Sequence, residues 1–462
     1  MGLAGVLGRV GRLGAVLAAA AAMSLAAGAL AVAEPPAGGR VGSHEGVGSC
    51  AGSTCHSRPV ASGLVVRQNE LITWQDPHSD AGAHARAWRV LTQPRAQAIV
   101  QRMGIAGPAQ NAAVCLGCHT DPAPAGQRGA RFQVSDGVGC EACHGGSGGW
   151  IASHYVVGAT HAGNVSRGMV ALDDPKARAG RCLDCHLGSA SPNQFVTHQM
   201  MAAGHPRIAF ELDLYTALQK HYDIDADYGS RHKQIPGGVK TWAVGQALAL
   251  DRTLSLYGVK HPSGAFPELV FFDCQGCHRT ITQDAKAKFT VEANPGRPVP
   301  LGTPPFNDEN MIMLSAAAKV ASPGLSARFE EESRAFHTAL AKNGSASASQ
   351  AGKLAETSRR LADAFAGHAF SRGDTLAIFE AVLSGEAAGR YTDYAGASQA
   401  VMGADTLLNA LVAQGGLDRA SAAKLRPELD RAYQTVRDAN AFHPMELRAA
   451  FKAAADKARA LK

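Results

Sequence analysis

Four copies of one short pattern, C-x-x-C-H, constrain this chain more than any other feature of its sequence. They occupy residues 115–119, 140–144, 182–186 and 274–278. In this pattern two thiols add to the vinyl groups of a haem, and the histidine that follows is held beneath the iron as proximal ligand. Zinc is the alternative for paired cysteines, but a zinc site draws four ligands from two pairs and needs no histidine directly after each pair. The motifs therefore predict covalently attached c-type haems.

The two remaining cysteines form a longer variant of the pattern, C-x4-C-H, which ends at His56. Its spacer, Ala-Gly-Ser-Thr, is small and flexible, so both sulfurs can still reach one porphyrin. A local disulfide is the alternative, but the histidine again follows directly and every other cysteine serves a haem. We therefore expect five haems. The attachment cysteines are then Cys50, Cys55, Cys115, Cys118, Cys140, Cys143, Cys182, Cys185, Cys274 and Cys277, and the proximal histidines are His56, His119, His144, His186 and His278.

The N-terminal segment predicts export. Arg9 and Arg12 precede an Ala/Leu-rich stretch over residues 13–30, and Ala31-Val32-Ala33 supplies an A-x-A site, so residues 1–33 are typical of a secretory signal peptide. An uncleaved anchor is the alternative, but the stretch is only mildly apolar. No later stretch approaches about 18 uninterrupted apolar residues. We expect a periplasmic or otherwise exported protein that does not itself span a membrane.

Each haem iron also needs a second axial ligand or an open face. With five of the 18 histidines used as proximal ligands, 13 remain, which favours bis-histidine ligation, although one five-coordinate site stays open. Methionine is the other common sixth ligand, but the methionines of the haem region are more typical of core filling. The candidate distal ligands are His78, His84, His154, His161, His198, His205 and His261. His44, His221 and His232 rank lower, and His337, His368 and His443 are expected at the surface or in the core.

Several of these motifs carry a resemblance to a known family. Trp74 with His78 forms W-x-x-x-H, residues 84–91 form H-A-x-A-x-x-x-L, and residues 137–146 form G-V-G-C-E-x-C-H-G-G. Together with the motif at 115–119 and R-C-x-x-C-H-L at 181–187, they resemble the cytochrome c-554 family. That family's namesake is a tetrahaem carrier that accepts electrons from hydroxylamine oxidoreductase, so the resemblance implies electron transfer.

The resemblance also implies a distal ligand, and it has limits. In the family, the histidine after the W-x-x-x segment is a haem ligand, and here that position is divided between His78 and His84. The matching residues span about 45–190. The longer first spacer, the motif at 274–278 and the long C-terminal region depart from the family pattern, which leaves the redox partner open.

The cysteines divide the chain into regions. Residues 34–291 should form a pentahaem domain, rich in loops and helical where regular, because porphyrins supply much of its apolar core. Residues 292–306 contain five prolines and are typical of a linker. Residues 307–462 lack cysteine and show helical periodicity, for example at Leu354, Leu361, Ala362 and Phe365. The fold class expected is therefore mainly α, a loop-rich multihaem cytochrome c domain followed by a bundle of four to six helices.

Charge and motif content separate the possible functions. Lys and Arg number 45 against 39 Asp and Glu, too small an excess to indicate nucleic acid. One hypothesis is a relay of single electrons between periplasmic or membrane-bound redox proteins, which bind weakly through small interfaces. The alternative is an oxidoreductase that acts on a small nitrogen or sulfur compound at one open-faced haem. Several such enzymes replace a proximal histidine with lysine, and no C-x-x-C-K occurs here. We therefore favour the carrier.

Overall fold

A computed structural model of the chain describes residues 42–61, 66–259, 267–278, 293–300, 303–342 and 344–461. The signal peptide predicted at residues 1–33 and the candidate ligand His261 lie outside these residues. Within them the regular elements are helices, with two isolated β-bridges and no strand. The mainly α fold class expected from the sequence is confirmed.

The first part of the described chain consists of short helices separated by loops. Its α-helices are α1 (Glu70–Gln75), α2 (Pro94–Arg102), α3 (Ala113–His119), α4 (Cys140–His144), α5 (His161–Ser166), α6 (Pro175–His186), α7 (His198–Ala202), α8 (Leu212–Leu218) and α9 (Ala226–Ser230). Short 3-10 helices lie between them at Val47–Ser49, Asp80–Gly82, Arg89–Thr92, Ala109–Asn111, Ala125–Gln127, Val134–Asp136 and Ser147–Gly149. Further along the chain, two more occur at Leu269–Phe271 and Cys274–Gly276.

The remaining helices are longer. They are α10 (Gly238–Tyr257), α11 (Glu309–Ala321), α12 (Pro323–Lys342), α13 (Gly344–Gly367), α14 (Arg372–Leu383), α15 (Gly385–Ala388), α16 (Tyr394–Ala413), α17 (Arg419–Thr435) and α18 (Pro444–Ala460), with a 3-10 helix at Ala439–Ala441. The described part thus has eight α-helices after residue 307, against the four to six expected. The additional breaks fall at Ser384, at residues 389–393 and at residues 436–443.

Sequence signals account for several helix ends. Ser371 begins α14 through a capping box, since its hydroxyl accepts from the Asp374 backbone N–H and the Asp374 carboxylate accepts from the Ser371 backbone N–H. Asp393 caps α16 in the same region by accepting from the Gly396 backbone N–H. Pro323 begins α12, where its missing N–H leaves no intrahelical bond unmade.

The main hydrophobic core lies among the long helices. It joins α10 to α11–α14 and α16–α18 in one cluster, in which Leu354, Leu361 and Phe365 are fully buried, as their helical periodicity predicted. Burying one such side chain contributes about 1.5–3 kcal/mol. The haem-motif part has only small clusters, such as Leu91 with Val100. Because this part of the chain buries few apolar side chains against one another, we expect the haems to supply apolar contacts there.

The two parts of the chain are packed together. Helix α10 contacts α6 and α8 on one side and α13, α11 and α16 on the other. The Gln399 side chain of α16 donates to the Phe210 carbonyl at 2.6 Å, and the Thr406 hydroxyl donates to Glu211 at 3.0 Å. The domain boundaries at 291 and 306 stay predictions. None of the helices in the described ranges is both long and apolar enough to cross a bilayer.

Candidate haem sites

We number the five motifs as sites I to V in chain order, so that site I ends at His56 and site V at His278. At sites II, III and IV the motif lies on α3, α4 and the last turn of α6. One helical turn places residues i, i+3 and i+4 on the same face, so both thiols and the imidazole point to one side. At site V, the 3-10 helix and a bond from the His278 backbone N–H to the Cys274 carbonyl (2.7 Å) form the turn.

The longer spacer of site I is accommodated by a loop. The Cys55 backbone N–H donates to the Gly52 carbonyl at 2.8 Å, and the His56 N–H donates to the Cys50 carbonyl at 3.4 Å. These bonds fold the second half of the motif back beside the first. The loop brings the Gly52 backbone close to the second thiol, since a Cβ at this position would lie 3.0 Å from the Cys55 sulfur. All ten cysteines are free thiols in the structure.

Every motif histidine faces a second histidine that comes from elsewhere in the chain. The distances between ring centres are 6.2 Å for His56 and His154 (site I), 6.4 Å for His119 and His205 (site II), 6.4 Å for His144 and His221 (site III), 6.3 Å for His186 and His84 (site IV), and 5.9 Å for His278 and His198 (site V). The two ring planes cross at 12°, 82°, 90°, 72° and 30° at sites I to V respectively.

These separations fit two imidazoles on opposite faces of one metal ion. An imidazole nitrogen binds a first-row metal at about 2.0–2.1 Å. The ring centre lies about 1.2 Å behind that nitrogen, since ring bonds are about 1.3–1.4 Å long. Two rings aligned through one ion therefore have centres about 6.4 Å apart. Hydrogen-bonded or stacked imidazoles have no reason to repeat this spacing at five separate motifs.

Hydrogen bonds orient half of the paired rings. The Nδ1 atoms of His119, His154, His205 and His221 lie 2.8–3.0 Å from backbone carbonyl oxygens, which makes each Nδ1 a donor. Nδ1 of His56 lies 3.0 Å from the carboxylate of Glu70. A metal-bound histidine characteristically donates its second nitrogen in this way. In all five rings, Nε2 is left as the nitrogen available to a metal.

The pKa values of the motif histidines at sites III and IV also suit a metal ligand. Burial lowers the pKa of His144 to about 3 and that of His186 to about 4, so both imidazoles are neutral and keep the lone pair that binds iron. Burial raises the pKa of Cys143 to about 11.

The Glu70 carboxylate remains ionised beside its histidine. Burial alone would raise the pKa of Glu70, but hydrogen bonds from His56 and from the Gln68 backbone bring it below its usual range. The Oε1 atom of Glu70 accepts the Gln68 N–H at 3.0 Å. The carboxylate is therefore fixed in place on both oxygens.

Site II contains a cleft of the right chemistry for a porphyrin. Both thiols and both imidazoles of the site line it, and the remaining lining residues are apolar: Leu91, Ala96, Ile99, Met103, Val114, Phe195, Val196 and Met200. Met103 and Met200 thus lie on its walls, in the filling role that the sequence favours for them.

The structure divides the seven candidate distal histidines. His84, His154, His198 and His205 each lie opposite a motif histidine. Two histidines were candidates for the position at which the resembling family has a haem ligand. Of these, His84 faces His186, whereas His78 is exposed. His161 is hydrogen-bonded through Nε2 to Asp173 at 2.9 Å. The assignment of these histidines as ligands stays a prediction.

His221 is the paired residue that the sequence ranked low. It lies in the loop after α8, in Lys-His-Tyr, without a motif or a helical spacing to another histidine. Its ring faces His144, whose position is 77 residues earlier in the chain. Among the lower-ranked histidines, His44 donates to Asp121 at 2.7 Å, and Glu141 nearby accepts three backbone N–H groups. His337 is buried beside Phe336 and Phe306.

Comparison with known proteins gives one match. Residues 51–145 match the family model described as "Cytochrome c554 and c-prime", about a fifth of the chain. Neither the curated proteins nor the solved structures contain a match. The matched segment contains the motifs of sites II and III and most of site I. It supports a c-type cytochrome with covalently bound haem and a role in electron transfer.

Proposed function

We propose that this chain is a periplasmic cytochrome c with five bis-histidine haems, which relays single electrons between redox partner proteins. One observation carries the proposal, namely the pairing of all five motif histidines with a second imidazole at 5.9–6.4 Å between ring centres. In each site the two cysteines hold the haem covalently, and the paired imidazoles bind the iron from both sides. When bound, the haems supply reversible one-electron chemistry.

The proximity of sites to one another supports a relay. The thiols of Cys50 and Cys140 lie close enough to interact, which makes sites I and III neighbours. The same relation holds for Cys118 and Cys185, which makes sites II and IV neighbours. Cys143 lies close enough to Cys182 for their charges to interact, so sites III and IV also adjoin. These contacts support the spatial order I, III, IV, II.

Helix α7 extends the series to site V. It begins with His198, which faces His278, and its Met200 lines the cleft of site II. His205, three residues after α7 ends, supplies the second imidazole of site II. One short segment thus serves both sites. The helix ends at Ala202, so that His205 follows it in the loop.

The ends of this series are its most accessible parts. Cys55 of site I and Cys277 of site V are exposed, whereas the other eight cysteines are partly covered. A redox partner can approach a haem edge at either end, and electron transfer complexes need only a small interface. The donor and the acceptor are not specified by these features.

The alternative function is catalysis at one open-faced haem. It would need an iron whose second face is free, with acid or base groups beside it. In the described structure each motif histidine lies opposite another imidazole, and this arrangement favours the carrier over the enzyme.

The test is a haem count by pyridine haemochrome together with electron paramagnetic resonance of the fully oxidised holoprotein. We expect five haems per chain, all low-spin. Four haems would show that the long first spacer is not loaded, and the pentahaem proposal would be wrong. One high-spin iron would favour the enzyme, and nitrite, hydroxylamine and nitric oxide would then be tested as its ligands.

A further inference from the structure

One of the five sites has a carboxylate bound to its ligand pair. Among the paired rings of the described structure, His56 is the one whose Nδ1–H meets a carboxylate, that of Glu70 on α1, at 3.0 Å. The other Nδ1 contacts of the paired rings are to neutral carbonyl oxygens. From this difference we infer that Glu70 makes the haem of site I the most reducing of the five. The inference rests on the proposed electron relay.

The physical reason lies in the basicity of the axial ligand. A carboxylate that accepts the second N–H of an imidazole draws that proton away and increases the electron density on the metal-binding nitrogen. A stronger donor stabilises the oxidised iron more than the reduced iron, so the reduction potential falls. A backbone carbonyl has the same effect in weaker form, because it carries no net charge.

In the described part of the chain, no arginine forms an ion pair with Glu70. Arg67 donates to Asn69 at 2.5 Å and to Thr73 at 3.0 Å, and its ion pair is with Asp223, at 3.8 Å. On the distal side of the site, Arg231 donates to the His154 carbonyl at 3.3 Å, but its charge is paired with Asp227 at 2.6 Å. The negative charge of Glu70 therefore acts on His56 without a guanidinium bound to that carboxylate.

The position of site I at one end of the series predicts the direction in which electrons move. Site I lies at one end of the series and has an exposed cysteine, whereas both cysteines of its neighbour, site III, are partly covered. An electron placed on the most reducing haem moves spontaneously to any of the others. Glu70 thus makes site I the end at which electrons enter, and site V the end at which they leave.

The experiment is a spectroelectrochemical titration of the purified holoprotein and of two variants. Glu70→Gln keeps a hydrogen-bond acceptor beside His56 but removes its charge. We expect one of the five midpoint potentials to rise by at least the equivalent of a tenfold change in equilibrium constant, about 59 mV for one electron. A second, smaller rise is expected at site III, because the charge of Glu70 also acts on His144 and His221. Glu70→Asp, which retains the charge, should return part of the shift.

Asp173→Asn is the matched control. Asp173 accepts from a histidine at a similar distance, 2.9 Å, but that histidine, His161, does not face a motif histidine in the described structure. All five potentials should stay unchanged in this variant. A shift there as large as that of Glu70→Gln would show that the ligand pairs are assigned wrongly.

A second measurement uses the wild-type protein alone and so does not depend on a variant that folds. Near-parallel imidazole planes, as at sites I (12°) and V (30°), give a rhombic low-spin resonance, whereas near-perpendicular planes give a signal with one very large g value. The haem of lowest potential must then carry a rhombic signal. If it carries the large-g signal, or if Glu70→Gln shifts no potential while five low-spin haems are present, the inference is wrong although the relay stands. Fewer haems or a high-spin iron would instead contradict the proposed function.

Discussion

At the scale of single residues, the proposed ligation of site III depends on His221. It faces His144 across 6.4 Å between ring centres, and burial lowers the pKa of both imidazoles. We expect His221→Ala to leave one haem without its second ligand and to convert that haem from low-spin to high-spin. Electron paramagnetic resonance of the oxidised protein and carbon monoxide binding to the reduced protein would measure the change.

His78→Ala is the control for that substitution. His78 is a candidate distal ligand from the W-x-x-x-H motif, but its side chain is exposed. All five haems should stay low-spin in this variant. A high-spin signal in His78→Ala, with none in His221→Ala, would reverse the roles that the structure indicates for the two residues.

His337 makes a separate contribution to the pH dependence of stability. It is 1 % exposed, its Nδ1 has no hydrogen-bond partner, and burial together with Arg297 and Arg390 lowers its pKa to about 3. Between its usual pKa of about 6.5 and this value, only the unfolded chain binds the proton, so the folded state loses stability as the pH falls, by about 1.4 kcal/mol per pH unit.

We therefore expect His337→Leu to gain stability relative to the wild type as the pH falls from 6 to 4, by about 1.4 kcal/mol per unit. Urea denaturation of the holoprotein, followed by far-ultraviolet circular dichroism at several pH values, measures the difference. His78→Leu, which alters an exposed side chain, serves as the comparison. A constant difference between His337→Leu and the wild type across this range would contradict the prediction.

At the scale of elements, α7 is the helix that contributes to two sites, II and V. Thr197 caps it by accepting the Met200 N–H at 3.2 Å, and the segment positions the second imidazoles of sites II and V. We expect Thr197→Ala to cost about 1 kcal/mol of unfolding free energy and to alter the low-spin signals of both sites. Chemical denaturation and electron paramagnetic resonance would measure the two effects.

The matched control is Thr160→Ala, because Thr160 caps α5 through the Gly163 N–H at 3.0 Å in the same manner. Helix α5 begins at His161, which is bonded to Asp173. This variant should lose similar stability without a change in any haem signal. Equal spectral changes in both variants would show that loss of stability alone perturbs the sites.

Local elements were the ones that the sequence predicted well. A C-x-x-C-H motif needs only one turn of chain, so the positions of the thiols and of the motif histidine follow from the spacing, as on α3 and α4. The buried positions of α13 likewise follow from their period. The breaks at Ser384, at residues 389–393 and at residues 436–443 were not predicted, and the number of helices was underestimated for that reason.

At the scale of the whole molecule, the five ring pairs predict two classes of haem. Sites I and V have planes 12° and 30° apart, whereas the planes at sites II, III and IV cross at 72–90°. We expect rhombic and large-g signals in a ratio of two to three when the resonance spectrum of the oxidised protein is integrated. A single class of signal would contradict this geometry.

Histidine pairs that join distant parts of the chain could not be predicted from the sequence. His84 meets a motif histidine about 100 residues later, and His221 meets one 77 residues earlier, so neither has a local pattern that identifies its partner. The packing of α10 could not be predicted either. This helix precedes the last motif in the chain, but it shares a hydrophobic core with α11 and the helices after it. Such contacts are decided by packing of the whole chain.

The exposure of the two ends of the series has a consequence for the cell. Cys55 and Cys277 are exposed, whereas Cys143 and His144 in the middle of the series are only partly exposed. In the proposed relay we therefore expect dissolved dioxygen to meet an electron in transit mainly at those ends, which a docked partner would cover. Such a protein would hold charge between encounters with little formation of superoxide.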